Sequence, residues 1–346
     1  MLHPINWLIS GGCGFIGVNL IEHLVQTNSE VHIRIIDNLT EGTKDDLRDV
    51  CHFKEVSLKN IRTSQQAVEL IVGDIRDIET CLQVCEGINI VVHLAANTGV
   101  TLSVNDPRQD MEVNVTGTFN MLEASRYKRV DKFIFASSGA PLGEVEPPID
   151  EKKAPRPVSP YGASKLAGEA YCSAYYKTYG LRTVALRFGN VYGPRSKHKN
   201  SVVAKFIKRA LAGKPLEIYG NGEQTRDFIY IKDLIQAILL AATYSPLKMR
   251  PREVDSPWGE VFQIATYRET QVIEIAEKIK NLIEGETGRT VDVVYKKPRV
   301  GDVKRNVSNI TRAQNILGYK PNFDLEEGLK YTFDYFCSES LCKHIT

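Results

Sequence analysis

Tyr161 and Lys165 lie four residues apart in Ser159-Pro160-Tyr161-Gly162-Ala163-Ser164-Lys165. On a helix, that spacing puts both side chains on one face, with an ammonium close to a phenol. The pairing turns a weak acid into a usable base. A free tyrosine titrates near ~10, so it needs lowering by ~3 units, roughly 4 kcal/mol. One cation at ~4 Å in an effective dielectric of ~20 supplies about that much. Upstream, Ser138 ends an apolar run and adds a second hydroxyl. It can hydrogen-bond a reacting oxygen and stabilise charge that develops there. The three side chains suit removal of a proton from a carbinol whose carbon gives up a hydride.

That chemistry needs a hydride acceptor, and the chain opens with a loop able to hold one. Ser10-Gly11-Gly12-Cys13-Gly14-Phe15-Ile16-Gly17 follows an apolar run and leads into an amphipathic one. Gly11, Gly14 and Gly17 are spaced by three, as a tight turn, close backbone approach to a pyrophosphate and helix-on-strand packing require. Phosphates there meet free N–H groups, including those near Phe15 and Ile16, and the positive end of a helix dipole. Asp37, 20 residues beyond Gly17 and followed by Asn38, ends the second apolar run. A carboxylate there accepts both ribose hydroxyls and repels a 2′-phosphate, which favours NAD over NADP. Asp74 and Ile75, after a third run, offer an adenine contact. Leu94, Ala95 and Ala96 follow His93 with small side chains that let the cofactor lie close. His93 reads as a packed core histidine, and Cys13 as a small loop residue without chemistry.

These residues need a frame. Short β-rich runs at 5–10, 31–36, 70–72, 88–93 and 132–137 alternate with helical patterns at 14–27, 78–85 and 112–127. Alternation of this kind predicts a doubly wound, parallel, Rossmann-type α/β sheet. Ile88–Val92 and Phe133–Phe135 are apolar on both faces, as doubly covered strands must be. Residues 39–67 read as a polar insertion at the sheet edge, with a short helix near 45–50. Five prolines make 144–160 a loop, and a helix over 161–179 and a strand over 181–187 follow. Beyond 190–194 the texture changes. We expect an NAD-binding domain over 1–189 and a smaller α/β substrate lobe over 190–346. Segments near 227–264 return to the first domain.

The bulk numbers exclude little. In 346 residues the formal net charge is +2, the hydrophobic fraction 42% and the charged fraction 25%, ordinary for a globular chain. The basic cluster Arg195–Lys199 is short and lacks aromatics, so it reads as a solvated loop, and no nucleic-acid partner is expected. No apolar run reaches the ~18 residues of a membrane span, and the N-terminus lacks a basic leader. The seven cysteines have no zinc-type spacing, so reduced thiols, a cytoplasmic setting and no metal are expected.

Taken in order, Gly11–Gly17, Asp37, Gly73-Asp74, His93–Ala96, Asn114–Thr118, Ser137-Ser138, Tyr161–Lys165, Arg187–Pro194, Gly222–Asp227 and Arg299–Asp302 resemble the extended short-chain dehydrogenase/reductase family. Within it they resemble the nucleotide-sugar epimerase/dehydratase branch, the relatives of UDP-galactose 4-epimerase. The resemblance covers nearly the whole chain. It implies Ser138, Tyr161 and Lys165 as catalytic residues, with Lys165 also holding the nicotinamide ribose and Asn114 among the cofactor contacts. It further implies a UDP-sugar substrate held by Val100, Ser138, Asn190, Val202, Tyr219, Arg226 and Arg299, the two arginines clamping its diphosphate. Thr101 and Ser103 join Val100 beside the sugar. A homodimer through helices near 112–127 and 161–179 is also implied.

The resemblance narrows the reaction too. Dehydratases of the branch place an Asp-Glu pair after the hydroxyl residue, and decarboxylases a glutamate at the second position. Here these positions are Gly139 and Ala140. Without a second acid, the simplest fate of a 4-keto sugar is to take its hydride back on the opposite face, which is C4 epimerisation. The chain departs from the epimerase pattern in reading Pro141-Leu142-Gly143 where Val-Tyr-Gly is usual. Glu144 and Glu146 follow and read as solvated. A dehydratase, decarboxylase or reductase is the alternative, and a non-catalytic NAD sensor a remote one. Asn306, seven after Arg299, stands where relatives gate the C2 substituent, and its size admits an N-acetyl group.

Overall fold

The computed structural model describes residues 5–63, 67–245, 256–298 and 304–342. Arg299 lies outside them, so the role expected for it has no structural counterpart here.

Eight parallel strands form the main sheet among the described residues: β1 (Asn6–Ser10), β2 (His32–Asp37), β3 (Lys54–Glu55), β4 (Val68–Val72), β5 (Ile90–His93), β6 (Lys132–Ser138), β7 (Arg182–Phe188) and β12 (Glu260–Ile264). Their order is β12-β7-β6-β5-β1-β2-β4-β3. The order reverses between β1 and β5, and a doubly wound sheet opens a crevice at that switch point, outside the carboxyl ends of its strands.

The central strands are largely apolar on both sides because helices cover both faces. Trp7, Ile9, Ile33, Ile35, Val92 and Ile134 face one core, with Leu20 and Ile21 of α1 (Phe15–Thr27) and Leu234 and Ile238 of α9 (Ile231–Thr243). The alternating residues Leu8, Val91, Phe133 and Phe135 face the other. There they meet Cys81 of α3 (Ile78–Val84), Met121 of α6 (Gly117–Tyr127) and Cys172 of α7 (Pro160–Tyr179). A complete side-chain burial of this kind contributes about 1.5–3 kcal/mol before entropy is subtracted.

The insertion after β2 folds into α2 (Lys44–Arg48), which has a Thr43–Asp46 capping box, and then the edge strand β3. The helix expected from residue 112 starts earlier. It comprises α4 (Val100–Asn105), α5 (Pro107–Met111), a π turn over Glu112–Thr116 and α6. Ser159 caps α7, its hydroxyl accepting the Gly162 N–H at 3.1 Å.

After β7, the chain builds a second layer from β8 (Asn190–Tyr192), α8 (Val202–Leu211), β9 (Leu216–Tyr219), β10 (Thr225–Arg226) and β11 (Phe228–Tyr230). β13 (Thr270–Gln271), α10 (Val272–Thr287), β14 (Val293–Lys296), α11 (Thr311–Leu317) and α12 (Leu325–Cys342) complete it. Strand β12 rejoins the main sheet beside β7. No helix among the described residues is long and apolar enough to cross a membrane.

Candidate active site

The glycine loop turns over the carboxyl end of β1. Gly11 adopts φ +71°, and a Cβ on it would lie 2.7 Å from the Ala95 nitrogen, so only glycine fits against β5. Gly14 precedes α1 with no side-chain cap, which leaves the first N–H groups of the helix for an anion. Asp37 ends β2 and is buried; its Oδ2 accepts the Cys13 N–H at 2.9 Å and its Oδ1 the Leu39 N–H at 2.8 Å. Burial raises its pKa, and these two N–H groups oppose the rise. Each oxygen keeps a lone pair for a further donor.

One cleft runs along this crevice. Gly11, Gly14, Phe15, Ile16, Gly17, Asp37, Asn38, Asp74, Ile75, Leu94, Ala95, Ala96, Tyr161 and Lys165 all line it. Asp74 is held by Arg76, Nη2 to Oδ2 at 2.7 Å, which keeps its carboxyl below the usual range. His93 is a core residue, with Nδ1 2.6 Å from Ser10 Oγ and Nε2 3.0 Å from Thr118 Oγ1. Burial, then the Lys165 charge, pushes its pKa down to about 3, so it stays neutral.

Asn114 departs from its expected place. The π turn drives it inward, buried behind the cleft wall. Its Nδ2 donates to Asn97 O and Asp110 Oδ1, both at 2.9 Å, and its Oδ1 accepts the Asn97 N–H at 2.8 Å. It therefore braces the loop after β5 and does not face the cleft.

At the catalytic end, Lys165 is buried on α7, and its Nζ donates to Ala136 O on β6 at 2.9 Å. Nζ also lies 4.9 Å from the Phe135 ring centroid and 5.9 Å from that of Tyr161. Burial pushes the pKa of Lys165 down to about 8, with Asp110 and then Glu169 opposing. Ser138 Oγ accepts the Ala140 N–H at 3.2 Å and lies close enough to the Tyr161 phenol to act on its pKa. Burial pushes Tyr161 up to about 12, with Ser138 opposing. Loss of water around the hydroxyl raises it, and the Asp110 charge adds to the rise.

Asp110 was missed. It is buried, with Oδ2 lacking a hydrogen-bond partner, and its charge acts on both Lys165 and Tyr161. Beneath the site, Glu169 takes both Nε and Nη2 of Arg187, at 2.7 and 2.6 Å, and the Ser137 hydroxyl at 2.5 Å. This ion pair fixes the strand end that carries Ser138.

The proline departure folds into a short 3-10 turn, Ala140–Leu142, with Pro141 and Leu142 buried. Glu144 is exposed, and Glu146 is exposed and paired with Arg305 at 3.0 Å. Neither supplies an acid beside Ser138. Asn306 comes close instead: a Cβ on Gly139 would lie 3.8 Å from its Nδ2.

A second cleft gathers four residues expected to hold the nucleotide: Asn190, Val202, Tyr219 and Arg226. It adds Lys205, whose Nζ lies 3.2 Å from Glu217 Oε2 and 3.4 Å from Tyr219 Oη. Val100 lines neither cleft; it is 48% exposed at the start of α4. Ser103 is buried and bonds the Val100 carbonyl, so it is not a sugar contact in this arrangement. The basic loop 195–199, expected to be solvated, is pinned to the sheet domain. Arg195 pairs with Glu22 at 2.7 Å and Lys197 with Asp46 at 2.8 Å.

A Rossmann sheet with a Ser-Tyr-Lys set at the rim of its dinucleotide crevice defines an NAD-dependent enzyme class. The chain belongs to the NAD dependent epimerase/dehydratase family, whose model matches residues 7–253. Among its relatives, the UDP-glucose 4-epimerase of Mycolicibacterium smegmatis is 32% identical over 338 residues, 96% of this chain and 99% of that one. Human dTDP-D-glucose 4,6-dehydratase is 32% identical over 341 residues, 95% of this chain and 89% of that one. The solved UDP-glucose 4-epimerase of Thermotoga maritima with UDP-glucose has a TM-score of 0.84 at 34% identity, covering 97% and 100% of the two chains. The UDP-glucuronic acid 4-epimerase of Bacillus cereus, solved with UDP-glucuronic acid and NAD, has a TM-score of 0.80 at 31% identity, covering 97% and 100%.

Proposed function

We propose that this protein is a UDP-hexose 4-epimerase that works through a transient 4-keto sugar. One observation carries the reading. Tyr161 and Lys165 line the end of the cofactor crevice, Lys165 is tied to Ala136 two residues before Ser138, and Gly139 and Ala140 put no carboxylate after that serine. A dehydratase needs such a group to expel water from the keto sugar, so kinship with the human dehydratase does not extend to its reaction.

The glycine loop and Asp37 would hold NAD, which when bound supplies a reversible hydride acceptor. Tyr161 would take the proton of the 4-hydroxyl and later return it to the same oxygen. Its phenol, at about 12 in the free protein, must be acidified in the loaded site. Lys165 and the positive charge on oxidised nicotinamide act in that direction. Ser138 would donate to the reacting oxygen and Asp110 would keep Lys165 protonated. In the second cleft, Arg226 and Lys205 suit a diphosphate, and Tyr219 a base face. Asn306 would border the sugar at C2.

The first 189 residues, with the returning segments near 227–264, would bind cofactor, and the remainder substrate. Exposed Phe119 and Tyr171, 5.4 Å apart on α6 and α7, support a homodimer through those helices. Incubation with UDP-glucose, UDP-N-acetylglucosamine and UDP-glucuronic acid, followed by NMR, tests the function. One of them should equilibrate with its C4 epimer. Released water or carbon dioxide would count against the reading.

A further inference from the structure

Lys199 reaches back from the second layer into the dinucleotide crevice. It lines the cleft with the glycine loop, and its Nζ donates to Thr98 Oγ1 at 3.2 Å. Thr98 lies just past Ala95–Asn97, on the β5 side of the glycine loop. On the other side, Glu41, after β2, lines the same cleft, and its charge acts on Lys199. The next residue, Gly42, packs directly on the glycine loop: a Cβ there would lie 2.0 Å from Cys13 O and 2.8 Å from Gly14 N. Lys199 therefore bridges the two lips of the crevice at the level of the α1 N-terminus.

Its neighbours in the basic loop are neutralised and it is not. Arg195 pairs with Glu22, and Lys197 and His198 meet Asp46 at 2.8 and 3.0 Å. Lys208 Nζ donates to Lys197 O and Lys199 O at 3.0 and 2.7 Å, so the backbone beneath Lys199 is fixed. Lys199 itself makes no ion pair among the described residues; a hydroxyl is its partner. Burial holds its amine below the usual lysine range, with the Glu41 charge opposing.

We infer that Lys199 is a ligand of the cofactor's diphosphate, supplied by the basic loop of the second layer. It opposes the α1 N–H groups across the phosphates. The loop then acts as a clasp: Arg195 and Lys197 fasten it to α1 and α2, and Lys199 closes it over the dinucleotide. This suits an enzyme that reuses one cofactor each turnover. The inference rests on the dinucleotide site and not on the epimerase reading, so binding alone tests it.

Full-length wild type and Lys199→Gln, freed of nucleotide, are titrated with NADH, ADP, adenosine and UDP. A lost charge-assisted hydrogen bond weakens binding about tenfold or more. NADH and ADP should weaken by that factor, adenosine and UDP should not, and Lys199→Arg should restore most of the loss. Unchanged NADH and ADP affinity would overturn the assignment. So would selective loss of UDP, which would give Lys199 to the substrate. Equal weakening of all four would make the loop merely structural and would also overturn it.

Discussion

Lys165 Nζ donates to the Ala136 carbonyl at 2.9 Å, tying the ammonium on α7 to the strand that presents Ser138 two residues later. The bond orients Lys165 beneath the phenol. It also holds a charge where burial disfavours one. Replacing Tyr161 with Phe should lower turnover by about 10²–10⁴-fold, the usual worth of a positioned acid–base group. Bound NAD should stay in place, read by absorbance of the purified protein.

The pKa of about 8 at Lys165 fixes a pH dependence. A folded-state pKa below the unfolded value means that the unfolded chain binds more protons between them. Stability from this group therefore rises with pH from about 8 to 10.5 and is reduced by its burial at pH 7. Lys165→Met should thus lose activity without lowering Tm at pH 7. An unfolding series from pH 7 to 10 should show the wild type gaining on the variant.

Asp110 opposes that loss of charge. In Asp110→Asn, the alkaline limb of kcat/KM should move to lower pH than in wild type, while NADH affinity stays within about twofold, since the side chain acts on Lys165 and not on the nucleotide. A merely structural role would lower kcat at every pH alike.

Asp37 receives Cys13 and Leu39 N–H groups on separate oxygens. Asparagine keeps only one acceptor, so Asp37→Asn should weaken NAD binding about tenfold and narrow the preference over NADP. Competition titrations with the two cofactors measure both.

In the second cleft, Arg226→Ala should raise KM for the UDP-sugar about tenfold or more and leave NADH binding unchanged, because the residue lies outside the dinucleotide crevice.

The crevice was legible because its parts are contiguous. The spacing of Gly11, Gly14 and Gly17 and the position of Asp37 at a strand end describe local geometry, and the fold brings them together with Leu94–Ala96 and Lys165. What the sequence hid depends on approach in space. Lys199 read as one of several loop cations; only contact with Thr98 and proximity to Glu41 separate it from Lys197. Asn114, implied as a cofactor contact by resemblance alone, lies in a π turn and bonds Asn97 and Asp110, which the sequence does not place beside it. The burial that raises Tyr161 in the free protein was hidden too, because charges can be counted along a chain and desolvation cannot.

The central claim is that the hydrogen at C4 leaves and returns within one active site. A UDP-hexose deuterated at C4 and turned over in ordinary water tests it by NMR of the product. The account predicts a C4 epimer that keeps its deuterium at C4. An epimer with the label washed out to solvent would contradict it.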